Sequence, residues 1–440
     1  MEYFRKYSHI SLNRTRNLVS IIIIKNLSVK ICTYPPSLQK EFLLPLQLTA
    51  FTLASPLGAG IAATLDALRA GRSGLARCDF LDVDLDACIG RISGLEGRSV
   101  RADLAAYDCR NNRLAQLGLE QDGFTAAVSA ARQHYGRERI GVFLGTSTSG
   151  ILDTELAYRQ RDKDSGALPA SFSYVGSHNC YSVADYVQHA LDLAGPSMVV
   201  STACSSSAKV FGSAARMIQA GLCDAAVVGG VDSLCMTTLY GFNSLGLVSS
   251  QPCRPFDVDR DGISIGEAAG FVLLEKASAQ PDTDSVMLLG VGESSDAYHM
   301  STPHPEGLGA RLAIQAALHT AGLAPGDIDY INLHGTGTKS NDASEDHAVF
   351  DVFGSNTPCS STKGSTGHLL GAAGVTEAII SALCIRHGFM PGGLNTKVLD
   401  PALKSHYLLQ NRQQTVNHVL SNSFGFGGSN CSLVLGRASS

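Results

Sequence analysis

An α/β fold with layered, largely parallel sheets is what this 440-residue sequence predicts. Short apolar runs alternate with helical stretches along most of the chain, the pattern of buried strands joined by covering helices. Several helical stretches close on glycine, as helices often do, and the composition is rich in Gly and Ala. A faint internal repeat suggests that one α/β unit occurs twice.

Residues 1–45 stand apart. They carry seven Lys/Arg against two acidic residues, and their apolar run "LVSIIIIKNLSVKI" is broken by Lys25 and Lys30. Such a run is too short to span a bilayer, so no stable membrane insertion is expected. It has the basic flank of a signal peptide but no small-residue cleavage site after it. The stretch reads as a basic extension, a weak membrane-surface segment, or a start assigned too far upstream. The last is favoured, although no Met lies between residues 2 and 197 and a later start would need an alternative initiation codon.

From residue 46 the order strand, turn, helix sets in. "IGVFLG", "SMVVST", "DAAVVGG" and "GFVLLE" read as strands of a first half, 46–283. "VMLLGVG", "IDYINLHG" and "HVLSNS" read as strands of a second, 284–440. "TAAVSAARQHYG" and "SAARMIQAG" are the first half's helices; "ARLAIQAALHTAG" and "VTEAIISALCIRHG" are the second's. "STACSSSAKVFGSAARMIQAGL" and "SSTKGSTGHLLGAAGVTEAIISAL" share a layout of hydroxyl-rich loop, small residues and apolar helix. "GEAAGFVLLEKAS" and "GGSNCSLVLGRAS" each close their half with a strand.

A net charge of −5 gives no general attraction to nucleic acid or anionic membrane. The twelve cysteines include no C-x-x-C and follow no rhythm. That speaks against the usual zinc sites and a secreted disulfide framework, and for a reducing cytoplasm.

Among the motifs, "SPLGAGIAATL" matches G-x-G-x-x-A, with Asp79 about nineteen residues on, but glycines serve tight strand-to-helix turns in their own right. "CRPFDVDRDGISIGEAAG" lacks the ligand spacing of an EF-hand and reads as a structural loop. Cys204 in "VVSTACSSS" is the stronger candidate. A residue between a strand and the first helical turn faces unpaired N–H groups and the positive dipole end, which lower a thiol's pKa. The same N–H groups can hold an oxyanion, although a buried cysteine is more often only packing. His334, in "HGTGTKSND", follows an apolar strand, at the strand end where α/β sheets bind ligands. Thr336 and Thr338 beside it can hydrogen-bond a polar ligand arm. "SSTKGSTGHLLGAAG" places Lys363 five residues before His368, either biasing that histidine or simply solvated. "SNSFGFGGSN" combines Gly-borne N–H groups with two phenylalanines suited to a mobile lid.

Together and in this order, "TACSSS", "HGTGT", "STKGSTGHLLGAAG" and "NSFGFGGSN" resemble the β-ketoacyl-[acyl-carrier-protein] synthases, over about residues 46–436. The resemblance implies the thiolase fold, two α/β halves in an α-β-α-β-α core. It implies that Cys204 accepts the acyl group and that His334 and His368 complete a Cys-His-His triad. Lys363 matches the lysine near the second histidine, and Glu345 an acidic residue linked to that lysine and its loop. Phe426 matches a gating phenylalanine whose N–H joins that of Cys204 in an oxyanion hole, and Thr336 and Thr338 match contacts to a phosphopantetheine arm. The implied reaction is a decarboxylative Claisen condensation with no metal or redox cofactor. The implied partners are an acyl carrier protein and a second subunit, either a copy of this chain or a chain-length-factor-like homologue. The polar "KSND", and His299 and His304 in "DAYHMSTPHPEG", differ from the fatty-acid pattern and suggest aryl polyene or polyketide synthesis.

Three rivals differ in discriminating features. A thiolase wants a second catalytic cysteine, for which only Cys431 is placed late enough. A chain-length factor lacks the active cysteine that is present here. A cysteine peptidase needs neither a second histidine nor the lysine.

Overall fold

The computed structural model describes residues 43–278, 282 and 284–438, with the backbone of 21–25 and 28–32. The latter two segments form an antiparallel pair, Ile21 opposite Cys32. The remainder of residues 1–42, and with it most of the proposed extension, lies outside the described residues.

The main unit, residues 43–440, is built on ten principal strands. In the first half these are β1 (Leu46–Ser55), β2 (Ile140–Gly145), β3 (Ser197–Val200), β4 (Ala225–Asp232) and β5 (Ala268–Lys276). The second half supplies β6 (Val286–Ser295), β7 (Tyr330–Asn332), β8 (Pro358–Ser360), β9 (His418–Gly425) and β10 (Ser429–Arg437). Their spatial orders are β1-β5-β4-β2-β3 and β6-β10-β9-β7-β8, the same topology twice. Each half has two antiparallel pairings followed by two parallel ones. Antiparallel pairing of Leu46 and Gln47 with Leu288 and Met287 joins the halves into one sheet of twelve strands. The faint letter repeat is therefore a repeat of topology.

Strand β4 is buried along its whole length, as expected of a strand covered on both faces. Helices α1 (Arg110–Leu119), α2 (Phe124–Tyr135) and α3 (Ser182–Leu191) cover one outer face. Between the halves lie α4 (Ser206–Gln219) and, from the second half, the equivalent helix at Ala373–His387. The other outer face takes α5 (Leu308–Ala321) and α6 (Lys339–Phe353). The helix Ala373–His387, α7, is buried from Ala373 to Ile385, so it has no polar face. Its one carboxylate, Glu377, thereby needs a buried partner.

Glycine sets the distance between β2 and α4. A Cβ on Gly145 would lie 2.4 Å from the backbone nitrogen of Ser207, so α4 rests directly on the strand end. Gly145→Ala should cost about 3 kcal/mol in urea unfolding, because the clash is with backbone. An unchanged midpoint would mean that α4 can shift without loss. The "SPLGAG" glycines have φ of +128° at Gly58 and +95° at Gly60, which opens the helix Ile61–Arg69, and Asp79 pairs with Arg91. "CRPFDVDRDG" is tied down by Asp257, which accepts from the N–H groups of Lys397 and Val398, and by Arg260 on Asp400.

Candidate active site

After β3 the chain turns sharply through Ala203, at φ +52°, before α4 begins at Ser206. A non-glycine residue held there is strained, and the turn is over-determined by hydroxyls. Ser206 Oγ donates to Ala203 O at 2.6 Å and accepts from the Thr202 N–H; Ser205 Oγ donates to Thr202 O. Ser207 Oγ accepts from the Val375 N–H, tying α4 to α7. The serines around Cys204 are thus turn staples, and only the thiol is left at the apex.

Cys204 is 4% exposed and its Sγ lies 3.1 Å from His368 Nε2. The backbone N–H groups of Phe426 and of Cys204 itself also face the sulfur. Burial pushes the thiol up to about 11, against the pull of Lys363 and of those N–H groups. This corrects the expectation of a lowered pKa: at this buried position, desolvation outweighs the helix end.

Both histidines are buried, with ring centroids 5.2 Å apart and planes at 84°. The Leu370 N–H donates to His368 Nδ1 at 3.2 Å, which assigns the ring proton to Nε2, facing Cys204. The Lys363 ammonium meets His334 Nδ1 at 3.3 Å, assigning the proton there to Nε2 as well. Burial first, and the Lys363 charge second, hold both imidazoles well below 6.5, so both are neutral at pH 7.

Lys363 is buried and also donates to His334 O and to Glu377 Oε1. Its three protons are therefore used on His334 and Glu377, and it reaches His368, five residues along, only through its charge. Glu345 does not reach it. Its carboxylate accepts from the N–H groups of His334 (2.8 Å) and Gly335 (2.7 Å) and from Asn422 Nδ2 (3.1 Å), fixing the turn that carries His334. Burial raises Glu345 and Glu377 alike to about 7. Glu377 was missed in the sequence; the available signal was a lone carboxylate in an otherwise apolar helix.

A cavity of about 600 Å³, its open mouth included, is lined by Cys204, His334, His368, Thr336, Thr338 and Phe426, among others. Thr336 and Thr338 share a hydroxyl hydrogen bond of 2.9 Å. Phe426 sits at the start of a short turn between β9 and β10, with φ of +80° and +72° at Gly427 and Gly428. Its ring packs on Phe242 at 5.3 Å. His299 and His304 serve their own loop: His299 Nδ1 accepts from the Ser301 N–H, and His304 packs on Tyr298. Cys431 is buried in β10 and is not among the residues lining the cavity, so it does not supply a thiolase's second cysteine.

Comparison with known proteins agrees with this geometry. Residues 45–280 match the family described as "Beta-ketoacyl synthase, N-terminal domain", and 286–397 the corresponding C-terminal domain. The chain belongs to the β-ketoacyl synthase family. Within this family, 3-oxoacyl-[acyl-carrier-protein] synthase 2 of Vibrio cholerae is 32% identical over 412 residues, 88% of this chain and 98% of that one. The mitochondrial 3-oxoacyl-[acyl-carrier-protein] synthase of Arabidopsis thaliana is 39% identical over 317 residues, 68% of each. Among solved structures, a ketosynthase in complex with its chain length factor from Xenorhabdus doucetiae matches with a TM-score of 0.81 and 38% identity. That match covers 92% of this chain and 100% of the other. The structural likeness confirms the thiolase-type fold that the four motifs implied.

The ligand atoms of Cys204, His334 and His368 lie within 4.8 Å of one another, close enough for one metal ion. The groups behind the two imidazoles of this β-ketoacyl synthase do not suit one. A metal-bound imidazole gives its other N–H to an acceptor, whereas both Nδ1 atoms here face donors, Lys363 Nζ and the Leu370 N–H.

Proposed function

We propose that the chain is a 3-oxoacyl-[acyl-carrier-protein] synthase, an acyltransferase that extends an acyl chain by two carbons. The observation that carries this reading is the gathering of two neutral imidazoles and the Phe426 N–H around Cys204, with His368 Nε2 on the sulfur and the ligand atoms of all three side chains within 4.8 Å of one another. The Cys204 thiol first attacks an acyl-carrier thioester. The N–H groups of Cys204 and Phe426 hold the oxyanion, and the thiol proton leaves with the carrier thiol. Malonyl-carrier then enters and loses CO2. Nε2–H of His334 and of His368 donate to the thioester oxygen as enolate charge develops, and need no protonation to do so. The carbanion attacks the acyl carbonyl on Cys204, expelling its sulfur, which takes up one proton; the product is a 3-oxoacyl-carrier.

In this reading residues 46–283 supply the nucleophile and 284–440 both histidines. Lys363 with Glu377 orients His334, Glu345 its turn, and Thr336 and Thr338 receive the pantetheine arm. In this reading the chemistry calls for no metal or redox cofactor. An acyl carrier protein is the donor of both substrates. The partner subunit is a second copy or a chain-length-factor-like homologue. The Xenorhabdus complex supports the latter, and the free edge strand β3, half-buried along its length, supports pairing of either kind. Cys204 and both histidines disfavour the chain-length-factor role itself. A cytoplasmic setting fits the eleven described cysteines, all free, and no helix among the described residues is long and apolar enough to cross a membrane. The pathway is fatty-acid, aryl polyene or polyketide synthesis.

Incubation with a panel of acyl-carriers, followed by intact mass measurement, tests the reading: a covalent acyl adduct on Cys204 is expected, and no adduct with any carrier would overturn it. The pH profile is a second test. With both histidines well below 6.5, imidazolium formation should not slow malonyl decarboxylation between about pH 8 and about pH 6.5. An acid limb near pH 7 that survives in both Glu345→Gln and Glu377→Gln would contradict neutral donors, whereas one lost in either variant belongs to those carboxyls, which burial raises to about 7.

A further inference from the structure

The carboxylate of Asp232, at the end of β4, is fully buried. Six donors reach it. Thr146 Oγ1 and the Ser147 N–H lie at 2.7 Å, with Ser147 Oγ also in contact. The N–H and Oγ1 of Thr148 lie at 2.9 and 3.0 Å. These five gather the loop that follows β2. The sixth is the N–H of Gly371, three residues beyond His368. All six are uncharged, so a buried carboxylate is held by N–H and O–H groups, an arrangement that an amide of the same shape could not reproduce.

The Gly371 contact bears on the site. Gly371 follows Leu370, whose φ of +52° is disfavoured for a branched side chain. That strained residue is the one whose N–H donates to His368 Nδ1. A Cβ on Gly371 would lie 2.7 Å from Asp232 Oδ2 and 2.9 Å from Ser147 N, so the turn is seated directly on the carboxylate. Tethering Gly371 holds Leu370 in the conformation that aims its N–H at the ring.

We propose that Asp232 is a positioning residue for the reaction: through Gly371 and Leu370 it holds the proton of His368 on Nε2, toward Cys204. It acts at a distance and touches neither substrate nor sulfur. Asp232→Asn would turn an NH2 toward the Gly371 N–H or lose an acceptor on that side, freeing the Leu370 turn and letting the proton move to Nδ1.

The test is nitrogen NMR of the full-length protein labelled with 15N-histidine, with His368→Gln identifying the His368 signals. The wild type should show a protonated Nε2 and an unprotonated, hydrogen-bonded Nδ1. Asp232→Asn should show the Nδ1–H form. Thr146→Val, which removes a donor to the same carboxylate without touching Gly371, should leave the tautomer unchanged. The kinetic arm rests on the function proposed above. Asp232→Asn should lower kcat for malonyl decarboxylation about tenfold with KM within about twofold, and Thr146→Val should not. A folded Asp232→Asn with the wild-type tautomer and rate overturns the proposal. Should that variant not fold, the wild type decides: a proton on Nδ1, or rapid amide exchange at Gly371, overturns it, and the opposite pair of results supports it. Absence of decarboxylation by the wild type, with the Nε2–H tautomer in place, would count against the function alone.

Discussion

Cys204→Ala is expected to leave a folded protein that forms no acyl-enzyme and condenses at least about a thousandfold more slowly. The fold survives because the substitution removes one sulfur from a turn whose shape is set elsewhere, by Ser205, Ser206 and Ala203. A cost of about 1 kcal/mol is reasonable for so small a cavity. Malonyl decarboxylation should persist in this variant, because the proton positions on the two imidazoles are set from their far sides, by Lys363 and Leu370. Intact mass and CO2 release, measured on one preparation, separate the two half-reactions. Elongation at the wild-type rate would sink the mechanism.

His334→Ala and His368→Ala should each do the converse. Loss of one preorganised donor to a developing oxyanion costs about a hundredfold to a thousandfold in rate, so decarboxylation should fall by that much. Some acylation of Cys204 should survive, since its oxyanion is held by the N–H groups of Cys204 and Phe426. The two variants differ in collateral cost. In His334→Ala the Lys363 ammonium keeps His334 O and Glu377 as acceptors, so the buried charge stays paired. Loss of acylation with unchanged decarboxylation would reverse the roles assigned here.

Much of the site is legible in the sequence. Cys204, His368, Phe426 and the segment that carries His334, Thr336 and Thr338 are four separate stretches of the chain, yet they line one cavity. Each sits in a short motif of glycines and hydroxyls, and it was the resemblance of the four motifs together to the β-ketoacyl synthases that implied their roles. The strands were legible for a similar reason: a strand covered on both faces is apolar throughout, and β4 and β5 read that way.

Pairings across the core were not legible. Lys363 is closer in sequence to His368, and Glu345 had been matched to it, yet it binds His334 and Glu377. Asp232 ends a strand otherwise free of charge, and nothing in the letters beside it points to Gly371, 139 residues on. The Cys204 thiol is raised and not lowered: a helix end is visible in sequence, whereas the burial of the sulfur is not. The sequence alone determined the two-halved α/β architecture, because strand alternation is local, and, through the resemblance of its four motifs to the β-ketoacyl synthases, which residues supply thiol, imidazole and N–H. Only the tertiary structure decided which carboxylate meets the lysine, which ring nitrogen carries each proton and how far burial raises the thiol. Those outcomes depend on groups far apart in the chain, and on the water that packing removes from between them.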